Sequence, residues 1–168
     1  MRKLLITLAS IFTFLFLVVV GIQIWSSVTF EYNCEAYLKR AADASTVEMA
    51  KTELSKAIKY SEDNNLTSGI VSIFLKNPKN DVGFWYNNMK QAYIELDTLP
   101  ANSSSLEKTN VLMKLRESLT DQGKDNVNVT FPSGISIYPH NVAFFWLTLI
   151  LLILCVGFWL WQYLFDNY

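Results

Sequence analysis

The chain has 168 residues, of which 51% are hydrophobic and 14% aromatic, and its formal net charge is −1. A composition this apolar excludes a disordered linker, and the balanced charge offers none of the basic surface with which proteins bind nucleic acid. The hydrophobic residues are concentrated in two blocks, one towards each end of the sequence.

The first block runs from Leu4 to Trp25 without a charged residue. A helix of about 22 residues at about 1.5 Å per residue is long enough to cross a hydrocarbon core of about 30 Å. A cleaved secretory signal is the alternative, because Arg2 and Lys3 precede the block. The apolar part of such signals has only about 7–15 residues and ends at small residues, however. We therefore predict an uncleaved transmembrane anchor over residues 1–26.

The second block, from Val142 to Leu164, contains no acidic or basic residue and predicts a transmembrane helix over residues 141–165. Tryptophan and tyrosine residues lie near the ends of both blocks, as is typical of membrane–water interfaces. We predict five membrane-interface anchors, namely Trp25, Trp146, Trp159, Trp161 and Tyr163.

The predicted orientation rests on Arg2 and Lys3, because basic residues beside a span stay in the cytoplasm. Both termini are then cytoplasmic and residues 27–140 extracytoplasmic, with a tail of 166–168 and no cytoplasmic domain. The composition favours a bacterial inner membrane with a periplasmic domain, although a thylakoid or phage-encoded protein would have the same features. Neither block holds the charged residues that ion and proton pathways need, which disfavours a pump or transporter.

Residues 27–140 hold twelve basic and fourteen acidic residues, and their pattern predicts one domain of about four helices. The first helix continues from the first block, and a capping box at Ser45–Glu48 opens the second. Their predicted inward faces comprise Cys34, Tyr37, Leu38 and Ala41 in the first helix and Val47, Ala50, Leu54, Ala57 and Ile58 in the second.

Asp81 is predicted to cap the third helix, which Pro100 closes, and a capping box at Ser104–Glu107 opens the fourth, with Gly123 beyond its end. Their apolar stripes comprise Trp85, Met89, Ala92, Leu96 and Leu99, and then Val111, Leu112, Leu115 and Leu119. Residues 69–75 and 126–139 are predicted to be extended, with Val127, Val129, Ile135 and Ile137 in partial alternation, so a small β-pair is predicted there.

Residue patterns that carry chemistry are missing from the sequence. His140 is the sole histidine, no nucleophile stands at motif distance from a base, and no glycine-rich phosphate loop occurs. We therefore expect no catalytic residue, no metal site and no cofactor, and predict that the protein is not an enzyme. Cys34 and Cys155 lie at different predicted depths, so Cys34 either packs as a small core side chain or forms a disulfide with another chain.

The segment from Gly83 to Lys90 is rich in aromatic residues. Trp85 lies on the core stripe, whereas Phe84 and Tyr86 flank it. A ligand clamp is one interpretation, but core packing with one or two exposed aromatics is favoured, and Phe84 and Tyr86 are the candidate partner contacts.

The leading hypothesis is a non-enzymatic accessory or scaffold subunit of a larger membrane protein complex. Its partners would be other membrane protein subunits and the lipid bilayer, not nucleic acid. A homo-oligomer is a further alternative. The alternatives are a ligand-binding sensory module that signals laterally to a membrane partner, and a phage or immunity-type membrane inhibitor. The order of span, helical bundle and span resembles that of bacterial chemoreceptor sensor modules in arrangement only, without their motifs.

Overall fold

The computed structural model describes residues 2–122 and 127–166. It is mainly helical and contains a small two-stranded antiparallel sheet, and two of its helices are long and apolar enough to cross a membrane. These features confirm the predicted mainly α fold and its small β-pair.

The first long helix comprises α1 (Arg2–Phe30), one π-helical turn (Glu31–Glu35) and α2 (Ala36–Ala42). An uninterrupted helix of 40 residues, as found over Lys3–Ala42, is about 60 Å long at about 1.5 Å per residue, twice the thickness of a hydrocarbon core. Its last part packs into the domain, as predicted. The buried residues there are Phe30, Cys34, Leu38, Ala41 and Ala42, and Tyr37 is half-buried.

The capping box predicted at Ser45–Glu48 is wrong. Helix α3 (Val47–Asp63) begins one residue later than that box requires, because Thr46 has an extended backbone and its Oγ1 accepts a hydrogen bond from the N–H of Met49 at 3.2 Å. Thr46 thereby satisfies one of the free N–H groups of the first turn. The predicted inward face of this helix is confirmed, since Val47, Ala50, Leu54, Ala57 and Ile58 are all buried.

Helix α4 (Val82–Asp97) starts as predicted, because Asp81 Oδ1 accepts from the N–H of Phe84 at 2.9 Å. The helix ends three residues before Pro100. Of its predicted stripe, Trp85, Met89 and Leu96 are buried, and Ala92 and Leu99 pack half-buried against the core.

Helix α5 (Ser105–Leu119) opens with the predicted capping box. Ser104 Oγ accepts from the N–H of Glu107 at 3.2 Å, and Glu107 Oε2 accepts from the N–H of Ser104 at 2.8 Å. Gly123, which was predicted to follow the helix, lies outside the described residues. Leu115 and Leu119 are buried, with Val111 and Leu112 half-buried beside them.

The β-pair joins β1 (Thr120–Gln122) to β2 (Val127–Val129), with Thr120 opposite Val129. The strand predicted at Val127 and Val129 is therefore confirmed, but its partner directly follows α5. Ile135–Ile137 forms a 3₁₀ turn, so the alternation predicted there is wrong. In residues 69–75, Ile70 makes a single bridge to Asp81, and the segment then bends as a loop.

Helix α6 (Asn141–Asp166) packs antiparallel against α1, and we call this pair the apolar hairpin. The domain is built on the hairpin's end. Trp85, near the start of α4, packs on Phe30, whereas Asp97 at the end of α4 pairs with Lys51 near the start of α3. Helix α4 therefore leads away from the hairpin and α5 returns towards it. We call the end of the domain opposite the hairpin its distal end.

Candidate interaction surfaces

Polar side chains of the apolar hairpin meet one another between its two helices. Gln23 Nε2 donates to Thr148 Oγ1 at 2.7 Å, Thr13 Oγ1 lies 3.1 Å from Cys155 Sγ, and Trp159 Nε1 donates to Thr13 Oγ1 at 3.1 Å. We call these five residues the polar seam. Such bonds between helices satisfy polar groups that would be costly against lipid. No pairing of these residues was predicted from the sequence.

The surface of the hairpin away from the seam is apolar and largely uncovered. Phe12 and Phe158 stack across the helix pair with ring centroids 5.4 Å apart. Ala9, Val19 and Leu151 are buried, but most large side chains are exposed, among them Leu4, Phe14, Leu17, Ile24, Ile153 and Leu160. A soluble protein rarely leaves so extended an apolar surface without a partner.

The predicted anchor residues all lie exposed on this hairpin. Trp25 stands two residues beyond Gln23, and Trp146 two residues before Thr148, so the Gln23–Thr148 hydrogen bond brings the two tryptophans to the same end. The remaining predicted anchors are found at the opposite end, namely Trp159, Trp161 and Tyr163. Their role at a membrane interface stays a prediction.

Both cysteines are free thiols. Cys34 is fully buried, with its Sγ 3.9 Å from the hydroxyl of Ser61, and Ser61 in turn donates to the carbonyl of Ala57 at 2.9 Å. The sulfur occupies the position of a small core side chain. A disulfide between chains, which stays a prediction, requires this sulfur to reach the surface.

The structure places the two predicted contact residues of α4 differently. Phe84 is exposed, as a contact residue should be, but Tyr86 is buried, and its prediction as an exposed contact is wrong. The buried face of α4 is wider than the predicted stripe because α3 packs beside it. That face starts with Val82, Trp85, Tyr86 and Met89, and Trp85 Nε1 donates to the carbonyl of Thr130 at 3.0 Å.

The Tyr86 hydroxyl closes a charged cluster that joins α4 to α3. It donates to Glu62 Oε1, and Lys90 Nζ lies 3.2 Å from the same oxygen. The hydrogen bond from Tyr86 lowers the pKa of Glu62, with a further lowering from Lys90. Burial, followed by the Glu62 hydrogen bond, raises the pKa of Tyr86. The cluster keeps Glu62 ionised and holds the two helices together.

A second acidic side chain, Glu53, is buried on α3 and bound by two cations. Arg40 Nη2 donates to Glu53 Oε1 at 3.2 Å and its Nε lies 3.2 Å from Oε2, while Lys56 Nζ lies 2.9 Å from Oε1. Sequence reasoning missed this group, because Arg40 and Glu53 are thirteen residues apart. Its geometry is that of a structural ion pair between α2 and α3.

Two of the open clefts on the domain lie along α5. One, of about 280 Å³, separates α4 from α5 and is lined mainly by polar residues: Asn88, Gln91, Ala92, Glu95, Val111, Lys114, Leu115 and Ser118. The other, which we call the distal groove, has about 310 Å³ and is lined by Ala42, Asp43, Ala44, Ser45, Thr109, Leu112, Met113 and Arg116. Met113 stands exposed in this groove, and exposed Met49 lies beside the groove, with its sulfur 3.9 Å from Ser45 Oγ.

Among the residues that the structure describes, no three or more His, Cys, Asp or Glu side chains converge in a way that would hold a metal ion. His140 is exposed, and its carbonyl accepts from the N–H of Phe144 in the first turn of α6. Comparisons of the chain with protein-family models, with curated proteins and with solved structures found no match.

Proposed function

We propose that the protein is a non-enzymatic, two-span membrane protein that serves as an accessory or scaffold subunit of a larger membrane protein complex. In this proposal α1 and α6 cross a bacterial inner membrane, the domain of residues 27–140 lies in the periplasm, and the helix ends remote from the domain face the cytoplasm. Arg2 and Lys3, the first two residues of α1, support this orientation.

The observation that carries the proposal is the division of the apolar hairpin into a closed inside and an open outside. Between its two helices the Gln23 amide donates to the Thr148 hydroxyl, and the Thr13 hydroxyl meets the Cys155 thiol. The outer surface offers exposed leucine, isoleucine, valine and phenylalanine side chains. Such a surface fits lipid tails or the helices of another membrane protein.

The distal groove supplies a second contact surface, outside the membrane. Methionine is flexible and polarizable, and it is common at surfaces that adapt to partners. Met113 stands exposed in the groove and Met49 beside it. Arg116 Nη2 lies 3.8 Å from Asp43 Oδ1 in the same groove. A subunit held in the bilayer by two helices could then bind a partner's extramembrane domain with its distal end.

Photocrosslinking in the native host tests this proposal at matched positions. A photoreactive residue at exposed Ile153 is expected to crosslink a defined membrane protein, whereas one at buried Leu151, two residues away, should reach only α1. In the domain, Met113 is compared with buried Leu115 in the same way. Crosslinks confined to lipid at Ile153, together with none to protein at Met113, would overturn the proposal.

The polar cleft between α4 and α5 favours a second candidate function, a ligand-binding sensory module. The uninterrupted helix from α1 through α2 joins the domain core to the hairpin. A shift of the core on ligand binding would therefore move α1 against a partner's transmembrane helices. A small polar ligand should then raise the unfolding temperature of the full chain. Gln91→Leu in the cleft should abolish that rise, and equal rises in both proteins would refute this candidate.

A further inference from the structure

The loop between α3 and α4 exposes two large apolar side chains side by side. Phe74 and Leu75 are 69% and 85% exposed, the latter more than any other large hydrophobic residue that the structure describes. They lie in the segment that was predicted to be a strand and that instead bends as a loop. Two such neighbours in water are unfavourable unless something covers them.

Contacts with the start of α6 hold this loop in place. The buried side chain of Asn141, the first residue of α6, donates from Nδ2 to the carbonyl of Val71. The ring of Phe74 packs edge-on against Phe145, with centroids 5.2 Å apart, and against Trp146 at 6.3 Å. The loop tip is therefore fixed beside the first turns of the apolar hairpin.

The depth of the loop tip follows from the pairing of the hairpin's helices. Trp146 lies at the level of Trp25, because the Gln23–Thr148 hydrogen bond sets the register of α1 against α6. Tryptophan rings favour the headgroup level of a bilayer. Phe74 touches Trp146, so the loop tip reaches the same level, and its apolar surface continues that of the hairpin.

Two basic residues lie one and four positions beyond Leu75. Lys76 and Lys79 are exposed, and neither forms an ion pair with a residue that the structure describes. A lysine beside buried apolar residues extends its stem along the apolar surface and keeps its ammonium in the headgroup layer. Such ammonium groups complement the phosphates of anionic lipids.

We propose that the loop tip Ile73–Leu75 inserts into the lipid bilayer at the level of Trp25 and Trp146, with Lys76 and Lys79 on phospholipid phosphates. The loop is thus a third membrane contact, which fixes the tilt of the domain against the bilayer. This inference rests on the proposal that α1 and α6 span a membrane.

Fluorescence quenching on the full chain in vesicles of phosphatidylethanolamine and phosphatidylglycerol tests the insertion. An environment-sensitive label is attached at Leu75→Cys in a chain whose Cys34 and Cys155 are replaced by alanine, and lipids with nitroxide on their acyl chains serve as quencher. Leu106→Cys, exposed at the start of α5, is the matched control at the distal end. Leu152→Cys, exposed on α6, reports the span itself.

The label at Leu75 should emit at shorter wavelength and be quenched several-fold more than the label at Leu106, approaching the label at Leu152. Quenching at Leu152 without quenching at Leu75 overturns the insertion and leaves the two-span proposal standing. Absence of quenching at Leu152 refutes the two-span proposal itself.

The lysines are tested in the same vesicles. Exchange of phosphatidylglycerol for phosphatidylcholine should reduce the quenching at Leu75, and Lys76→Gln with Lys79→Gln should remove this dependence on lipid charge. Quenching that does not respond to lipid charge in the parent chain would refute the phosphate contact.

Discussion

Arg40→Met tests the buried ion pair that joins α2 to α3. The side chain of Glu53 is 9% exposed, so its carboxylate cannot exchange a lost partner for bulk water. Arg40 contributes contacts to both carboxylate oxygens, and Lys56 contributes one contact to Oε1 alone. Oε2 is buried and accepts no hydrogen bond, so removal of Arg40 takes away the cation that lies beside it and the hydrogen bond from Nη2 to Oε1.

The expected cost follows from the burial of the two partners. Breaking a fully buried ion pair costs about 3–5 kcal/mol, and leaving one buried polar atom unsatisfied costs about 1–3 kcal/mol. Arg40 is 64% exposed and Lys56 still contacts Glu53, so the loss in the free energy of unfolding should lie in the lower of these two ranges, at about 2 kcal/mol. At roughly 4 °C per kcal/mol for a domain of this size, the unfolding temperature should fall by about 8 °C.

Circular dichroism of the full chain in lipid nanodiscs measures that fall. Lys39→Met, at an exposed neighbouring position, is the control and should change the unfolding temperature little. In Arg40→Met with Glu53→Met both partners are apolar, and most of the lost stability should return. Equal effects of Arg40→Met and Lys39→Met, or a double variant no more stable than the single one, would refute the reasoning.

Two further predictions concern a glycine and a pH dependence. Gly69 has φ +97°, and a Cβ there would overlap the Tyr138 hydroxyl, so Gly69→Ala should cost more than about 1 kcal/mol in thermal unfolding. Gly21→Ala, where no atom of a neighbouring helix lies within 4 Å of the new Cβ, should not. The lowered pKa of Glu62 gives stability that is present above the ordinary carboxylate pKa and lost as the pH falls through the folded value. Tyr86→Phe should flatten that acid dependence, and an unchanged pH profile would contradict it.

Local sequence signals predicted the helices well because each signal acts within one or two turns. The capping box at Ser104 and Glu107 and the aspartate cap at Asp81 satisfy N–H groups three residues away, so their geometry is encoded locally. The box at Ser45 failed for a local reason too. Thr46 caps the helix although Met49, three residues on, cannot complete a capping box, so the pattern favoured the wrong hydroxyl.

The sequence patterns did not predict contacts between segments that are far apart in the chain. Tyr86 was predicted to lie beside the core stripe, and it is buried because α3 packs beside α4. The loop at Phe74 was predicted to be a strand because Ile, Val and Phe favour strands. Its conformation instead depends on the packing of the Phe74 ring against α6, about seventy residues away. The pairing of Gln23 with Thr148 likewise depends on the register of two long helices.

The native mass of the tagged protein, extracted from its own host in mild detergent with its co-purifying chains identified, tests the central claim most directly. The accessory-subunit account predicts a reproducible complex far heavier than the 19.3 kDa chain, with other membrane proteins at fixed ratio. Extraction of a bare monomer or homodimer would contradict it.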